Sequence, residues 1–316
     1  MTATVKRSSR RRPTGTLAAP IRRHPFQWTP YILLFPAVAL VILFAGYPLV
    51  RSIYFAFNNI QPLRRTMSWA GFTNFIGIFT DPSYTPFGPL LGRTGIWMIG
   101  IVGLQFLLGL GLALLINTRF PLRGVYRGLV MVPWATPSVL VALMWKWILD
   151  PNYGVLNRWL QGLGIIHQPI AFLSGNSSAL PTVMMLDVWQ GVPLFAVMIL
   201  AALQSVSNDL KEAAAVDGCG RLSTFFNVVL PAIAPTLLIT AVLRLIWTAN
   251  YIDLLWILTG GGPGKSSTTL ALQSYLTTYK ATNFGHGAAY AVVQACCLAV
   301  FVVVYLRLTR NQGEQR

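Results

Sequence analysis

The chain has 316 residues, of which 54% are apolar and only 10% charged, and it carries a formal net charge of +16. That balance excludes an ordinary water-soluble domain, because the apolar residues fall in blocks of about 20, the length that crosses ~30 Å of hydrocarbon as a helix. The basic excess suggests nucleic acid, but its distribution argues otherwise. Three cysteines (Cys219, Cys296 and Cys297) have neither C-x-x-C nor zinc spacing, so no disulfide framework or metal site is implied.

Residues 1–29 are basic, polar and Pro-containing without an apolar period, and are expected to form a disordered or surface-lying tail. The transmembrane region is expected to span 30–310, with a short tail at 311–316. Six spans are predicted, at 31–50, 94–116, 128–149, 180–203, 232–258 and 284–306, so the fold class is all-α integral membrane. The first block is too long for the ~7–15-residue core of a signal peptide, and no small-x-small cleavage site follows it. With the N-terminus inside, the inside segments carry 15 Lys/Arg and the outside segments eight, with Arg244 within a span. This is the positive-inside asymmetry; it predicts both termini in the cytoplasm and a basic tail against anionic headgroups.

The first external segment contains Gly71-Phe72-Thr73-Asn74-Phe75 and Asp81-Pro82, which read as an aromatic interfacial stretch. The third predicted span is rich in Pro and Trp (Pro133, Trp134, Pro137, Trp145, Trp147). Such prolines are tolerated where neighbouring helices satisfy the freed carbonyls. Between the fourth and fifth spans, the loop 205–231 has polar residues at its start, with Asp209 and Glu212 at capping-box spacing. Alanines follow, then Gly218 and Gly220 to end a short helix. Pro231 suits the first turn of the next span.

After the fifth span comes Thr259-Gly260-Gly261-Gly262-Pro263-Gly264-Lys265-Ser266. It imitates a phosphate-binding G-x-x-x-x-G-K-[ST] loop, but the first glycine is Thr259 and no strand precedes it, so it reads as a flexible turn at a membrane exit. Charges inside spans are costly, at least ~2.5 kcal/mol, and usually face a cavity or partner. Here they are Asp187, Arg244 and Asp253. Asp187, Gln190, Gly191 and Leu194 share one helix face at i, i+3, i+4, i+7; Arg244, Trp247, Thr248 and Tyr251 repeat the spacing on the next helix. An aromatic plate with hydrogen-bonding neighbours suits a sugar, whose C–H faces stack while its hydroxyls pair.

Glu212-Ala213-Ala214, three residues, Gly218, then nine residues to Val228-Val229-Leu230-Pro231 resembles the cytoplasmic coupling loop of permease subunits in ABC (ATP-driven) importers, with Val228 where Ile is more usual. The run Gly71 to Phe75, the Thr-Gly-Gly-Gly-Pro turn and Asp187-Val188-Trp189-Gln190-Gly191-Val192-Pro193 are similar to the carbohydrate-uptake, maltose-type members. Two positions depart: Asp187 stands for an amide and Arg244 for a small hydroxyl residue.

The resemblance implies a type I ABC importer transmembrane domain, a non-catalytic subunit working by alternating access. Glu212, Ala213, Ala214, Asp217, Gly218, Leu230 and Pro231 would couple to the ATPase. Asp187, Gln190, Gly191, Leu194, Arg244, Trp247, Thr248 and Tyr251 would line the path of a sugar or polyol. It implies no cofactor on this chain, ATP and Mg on two ATP-binding subunits, a second permease making a heterodimer, an extracytoplasmic binding (lipo)protein and a cytoplasmic-membrane setting with lipids, not nucleic acid, around it. Asp187 and Arg244 could instead be a structural pair, or Arg244 could meet a sugar phosphate or glycerophosphodiester. Two other classes stay open: an ion-coupled secondary transporter using Asp187, Arg244 and Asp253, against which no inverted repeat is seen, and a membrane enzyme, for which His24, His167 and His286 show no metal spacing.

Overall fold

The computed structural model describes residues 28–61, 66–82, 85–118 and 121–313. The tail expected at 1–29 lies outside the described residues as far as 27, as do Arg64, Arg65, Arg119 and the last three residues of the C-terminal tail. The chain forms two compact units, one ending at Leu49 and the other beginning at Val50.

The described part of the first unit is helical. Helix α1 (Thr29–Val41) is followed by a π-helical turn (Ile42–Gly46) and α2 (Tyr47–Ala56), and Tyr31–Ala56 is long and apolar enough to cross a membrane. Helix thus replaces the tail from residue 29, helped by Pro30, whose missing N–H costs nothing in the first turn.

The second unit opens with an antiparallel hairpin, β1 (Asn58–Gln61) on β2 (Thr66–Trp69), with Asn58 opposite Trp69. This short hairpin is a local exception in a fold that is otherwise helical among the described residues, as the all-α expectation has it. Gly71, at φ +54°, then turns the chain into α3 (Thr73–Thr80). The buried Asn74 amide donates to the carbonyls of Ala56 and Asn58, each at 3.0 Å, and Phe57, Phe72 and Phe75 pack ring against ring. The Gly71-to-Phe75 run is therefore the clasp of this segment.

Helix α4 (Phe87–Asn117) is the second span. The third expected span, 128–149, is not continuous: it is divided into α5 (Arg123–Val130), α6 (Val132–Ala135) and α7 (Ser138–Ile148). Pro137 has no N–H to donate and forces Thr136 out of the helical region, to ψ 129°. A short helix α8 (Val155–Gly162) lies in the next loop, then α9 (Ala179–Ser205) crosses. The coupling stretch holds α10 (Asn208–Val216), α11 (Arg221–Thr224) and a π-helical turn (Phe225–Val229).

Helix α12 (Leu230–Asn250) has Pro231 in its first turn and stops at Tyr251; α13 (Asp253–Thr259) resumes after Ile252. The fifth expected span is thus also interrupted, without any proline at the break. Helix α14 (Leu270–Tyr275), a π-helical turn (Leu276–Lys280) and α15 (Phe284–Gly313) complete the chain, so helix replaces the expected tail as far as Gly313. Among the described residues five helical stretches are long and apolar enough to cross a membrane, and the divided third span supplies only the shorter apolar α7.

Two apolar cores hold this unit. The larger centres on α4 and α9 with α7, α12 and α13, and includes Trp97, Ile101, Phe195, Ile199, Leu254 and Leu255. The smaller joins Ala56, Ile78, Leu90, Leu270 and Tyr290 around the hairpin, α3 and α15. The Thr259-to-Ser266 turn is tied down by the two hydroxyl residues that follow it. Thr268 Oγ1 donates to the Gly261 carbonyl at 2.9 Å and Ser267 Oγ to that of Gly262 at 2.8 Å, while Gly260, Gly261 and Gly264 take positive φ.

Candidate functional site

The polar groups of α4, α9 and α12 meet in one buried cluster. Arg244 Nη2 pairs with Asp187 Oδ1 at 3.1 Å, and Arg244 Nε donates to Gln105 Oε1 at 2.9 Å. Gln105, fully buried, returns the contact by donating Nε2 to the Asp187 carbonyl at 2.8 Å. One amide thus links the two charged helices to a third. Gly191 is the clearance that permits it: a Cβ there would fall on the Gln105 amide and within 2.9 Å of Arg244 Nη2.

One helical position from Gly191, Gln190 reaches the two broken spans. Its Nε2 donates to the Thr136 carbonyl at 3.1 Å, at the break before α7, and its Oε1 lies 3.5 Å from the Tyr251 hydroxyl, a long contact at the break after α12. Ser138 Oγ at the start of α7 donates to Asp253 Oδ2 at the start of α13, at 2.9 Å. The two interruptions therefore face each other. Carbonyls near the second break are taken up by side chains: Trp97 Nε1 donates to Thr248 O at 2.9 Å and Gln294 Nε2 to Ala249 O at 3.0 Å. Interrupted helices at membrane depth are tolerated where protein or a cavity satisfies them, and they commonly build transport sites.

Asp187, Gly191 and Arg244 are thus brought together, Gln190 and Tyr251 sit beside the breaks, and Thr248 is fully buried with its Oγ1 unpartnered. Trp247 points elsewhere, 58% exposed, and Leu194, half-buried, makes none of these polar contacts. The aromatic neighbour at this level is the Trp145–Trp189 pair, edge to face at 5.6 Å. Gln105, Trp97, Thr136, Ser138 and Gln294 escaped the residue reading. The legible signal was Gln105, a lone amide in an otherwise apolar stretch of α4.

The stretch expected to couple to an ATPase, 205–231, follows α9 directly. Ser207, not Asp209, caps α10: its Oγ accepts from the Leu210 amide at 3.4 Å, while Asp209 lies in the first turn, where its charge favours the helix dipole. The Asp209–Glu212 capping box is therefore absent, because the helix starts two residues earlier than that spacing needs. Gly218 ends the helix at φ +81°, with the Cys219 amide bonded back to the Ala214 carbonyl at 2.9 Å. Gly220 instead is extended, at φ −69°. Ala214 is turned inward, while Glu212, Ala213, Asp217 and Gly218 face out beside Val216 (87% exposed), Leu222 and Phe226. A cavity of about 390 Å³ opens next to α10, lined by Asn117, 203–208 and Lys211. Leu230 and Pro231, half-buried, begin α12.

The membrane helices, the polar cluster at two broken spans and the surface helix between α9 and α12 define a membrane-embedded transport subunit. The family model described as the binding-protein-dependent transport system inner membrane component matches residues 105–313, and the chain belongs to that family. It is 34% identical over 284 residues to the sulfoquinovosyl glycerol transport system permease protein SmoG of Agrobacterium fabrum, covering 89% of this chain and 90% of that one. It is 29% identical over 282 residues to the trehalose/maltose transport system permease protein MalF of Thermococcus litoralis, covering 89% and 93%. In fold it matches a chain of a bacterial ABC transporter involved in import of the acidic polysaccharide alginate, with TM-score 0.75 at 24% identity over 90% of this chain and 96% of that one. The chain is thus an ABC transporter permease, a non-catalytic transmembrane subunit with the type I importer fold.

Proposed function

We propose that this chain is the permease subunit of an ATP-driven sugar importer, moving a saccharide or related polyol inward by alternating access. The observation that carries this reading is continuity: α9 bears Asp187, Gln190 and Gly191 in the polar cluster, and only Val206 and Ser207 separate its end from the coupling helix α10. A push on α10 is therefore a push on the helix that holds the cluster. The relatives that transport sulfoquinovosyl glycerol and trehalose or maltose support a sugar as cargo.

In this reading the 205–231 face and both termini are cytoplasmic, in line with the Lys/Arg asymmetry. Glu212, Ala213, Ala214, Asp217 and Gly218, with the bare Val216, Leu222 and Phe226 around them, enter a groove of the ATP-binding subunit, which holds ATP and Mg. Leu230 and Pro231 carry the motion into α12. A second permease supplies the other coupling helix and the other wall of the path, and a binding protein delivers cargo from outside. Asp187, Gln190, Gly191, Leu194, Arg244, Trp247, Thr248 and Tyr251 are assigned to the path.

The test is reconstitution of the complex in proteoliposomes loaded with ATP and Mg, with its binding protein and a panel of labelled saccharides supplied outside. ATP-dependent accumulation, insensitive to collapse of ion gradients, is expected. Uptake that follows a proton or sodium gradient and ignores ATP would overturn the assignment.

A further inference from the structure

We infer that Gln105 is a specificity-determining positioning residue, holding Arg244 so that a cation edge faces the transport path, and that the saccharide carried therefore bears an anionic group: a carboxylate, sulfonate or phosphate. This rests on the sugar-importer reading and adds the charge class of its cargo.

The argument begins with which member of the ion pair can be met. The Asp187 side chain is 3% exposed and that of Arg244 15%. Asp187 Oδ2 is buried and unpartnered, so the carboxylate is closed off rather than presented. Of the guanidinium's five N–H groups, Nε is committed to Gln105 and Nη2 to Asp187, while Nη1 makes no hydrogen bond among the described residues and is not among the buried unpaired atoms. The accessible part of the pair is therefore a cation edge with donors to spare.

A pair built only to join two helices would gain most from the two-pronged Arg–carboxylate fork. This pair does not use it: one oxygen of Asp187 is contacted, and the Nε position that the fork would employ is given to Gln105. The consequence of that choice is geometric. The guanidinium plane is pinned at two adjacent corners, on α4 and on α9, and its third corner is left toward the open side. Planar, permanently charged guanidinium with a free edge suits carboxylate, sulfonate or phosphate oxygens better than it suits neutral hydroxyls. Gly191 maintains the arrangement, since any side chain there would displace the Gln105 amide.

The isosteric change Gln105→Glu separates this from a structural role. Glutamate retains an oxygen for Arg244 Nε but places a second negative charge beside the cation. In the complete reconstituted importer, uptake of acidic probes (sulfoquinovosyl glycerol, an alginate trisaccharide and sn-glycerol 3-phosphate) is compared with that of maltose and trehalose. The wild type is expected to favour an acidic probe. Gln105→Glu is expected to raise its half-saturation at least about tenfold while leaving the maximal rate within about threefold. Gln105→Met, neutral and of similar shape, should raise half-saturation less, and it serves if the Glu variant fails to assemble. A neutral sugar taken up as well as the best acidic probe, or Gln105 variants with unchanged half-saturation, would overturn the anionic assignment and leave the importer reading standing. No ATP-driven uptake of any probe would overturn both.

Discussion

Gly191→Ala is the sharpest perturbation of the polar cluster, because it adds one methyl group at the point where three helices converge. The new Cβ would occupy the place of the Gln105 amide and come within 2.9 Å of Arg244 Nη2. The amide ends a flexible side chain and can swing away, but doing so breaks two contacts. The charged bond from Arg244 Nε contributes about 1.5–3 kcal/mol and the bond to the Asp187 carbonyl about 0.5–1.5 kcal/mol. Alanine returns about 0.5–1 kcal/mol of helix preference. The net loss is about 1–4 kcal/mol, equivalent to about 5–900-fold in an equilibrium constant. It should be read as a lowered melting temperature of the purified complex together with impaired uptake. Gly103→Ala on α4 is the control, since a Cβ there meets nothing within 4 Å and should be neutral or slightly stabilising. The pair Gly191→Ala with Gln105→Ala should recover part of the loss by removing the clash. A Gly191→Ala complex as stable and active as the Gly103→Ala one would refute the packing argument.

Replacing Gly218, at φ +81°, by Trp should strain the end of α10 and uncouple ATP hydrolysis from cargo; unchanged substrate-stimulated ATPase activity would remove Gly218 from the coupling role. Trp247→Ala should lower uptake while sparing assembly, and because Trp247 is 58% exposed the effect belongs to a surface it presents to cargo or a partner; normal uptake kinetics would take it out of the path. Joining Ser138→Cys to Asp253→Cys, in a background without Cys219, Cys296 and Cys297, should tie the two broken spans and stop uptake until a reductant is added. Full transport by the cross-linked complex would show that this contact persists through the cycle.

The features legible from residues were those with local physical causes. The short helix α10 followed from its alanines and from Gly218, whose positive φ is cheap only for glycine. The imitation of a phosphate loop was recognisable as a turn, and the hydroxyls of Ser267 and Thr268, just after it, bond its Gly262 and Gly261 carbonyls. The apparent continuity of the third and fifth spans misled for different reasons. Pro137 announced the first break, yet prolines within membrane helices often kink them without ending them. Nothing in the chain near Tyr251 announces the second, because its carbonyls are satisfied from afar by Trp97 and Gln294. The hairpin Asn58–Gln61 with Thr66–Trp69 was equally hidden, each strand being only four residues long. Of the two stripes, spacing put Asp187 and Gly191 on one helix face, and the structure brings Arg244 to them, but period alone could not place Trp247 or reveal the amide from α4.

The cluster also suggests which parts of the bundle move together. Helices α4 and α9 pack along much of their length and, with α12, are joined by a charge-assisted network whose loss is costly in a membrane interior, where no water replaces a broken bond. Those three are expected to behave as one body. The interruptions at Thr136 and Tyr251 lie where that body meets α7 and α13, which also pack into the larger apolar core, and the polar contacts across the breaks are one amide from Gln190, one long tyrosine contact and the Ser138–Asp253 bond. Such sites exchange partners at small cost, since hydroxyls and amides can re-pair within the same polar neighbourhood. A displacement of α10 would then pass through α9 as a rigid lever and be absorbed at the breaks. On the proposed importer reading, the ion pair is expected to keep the lever stiff and the breaks beside it to set where it bends.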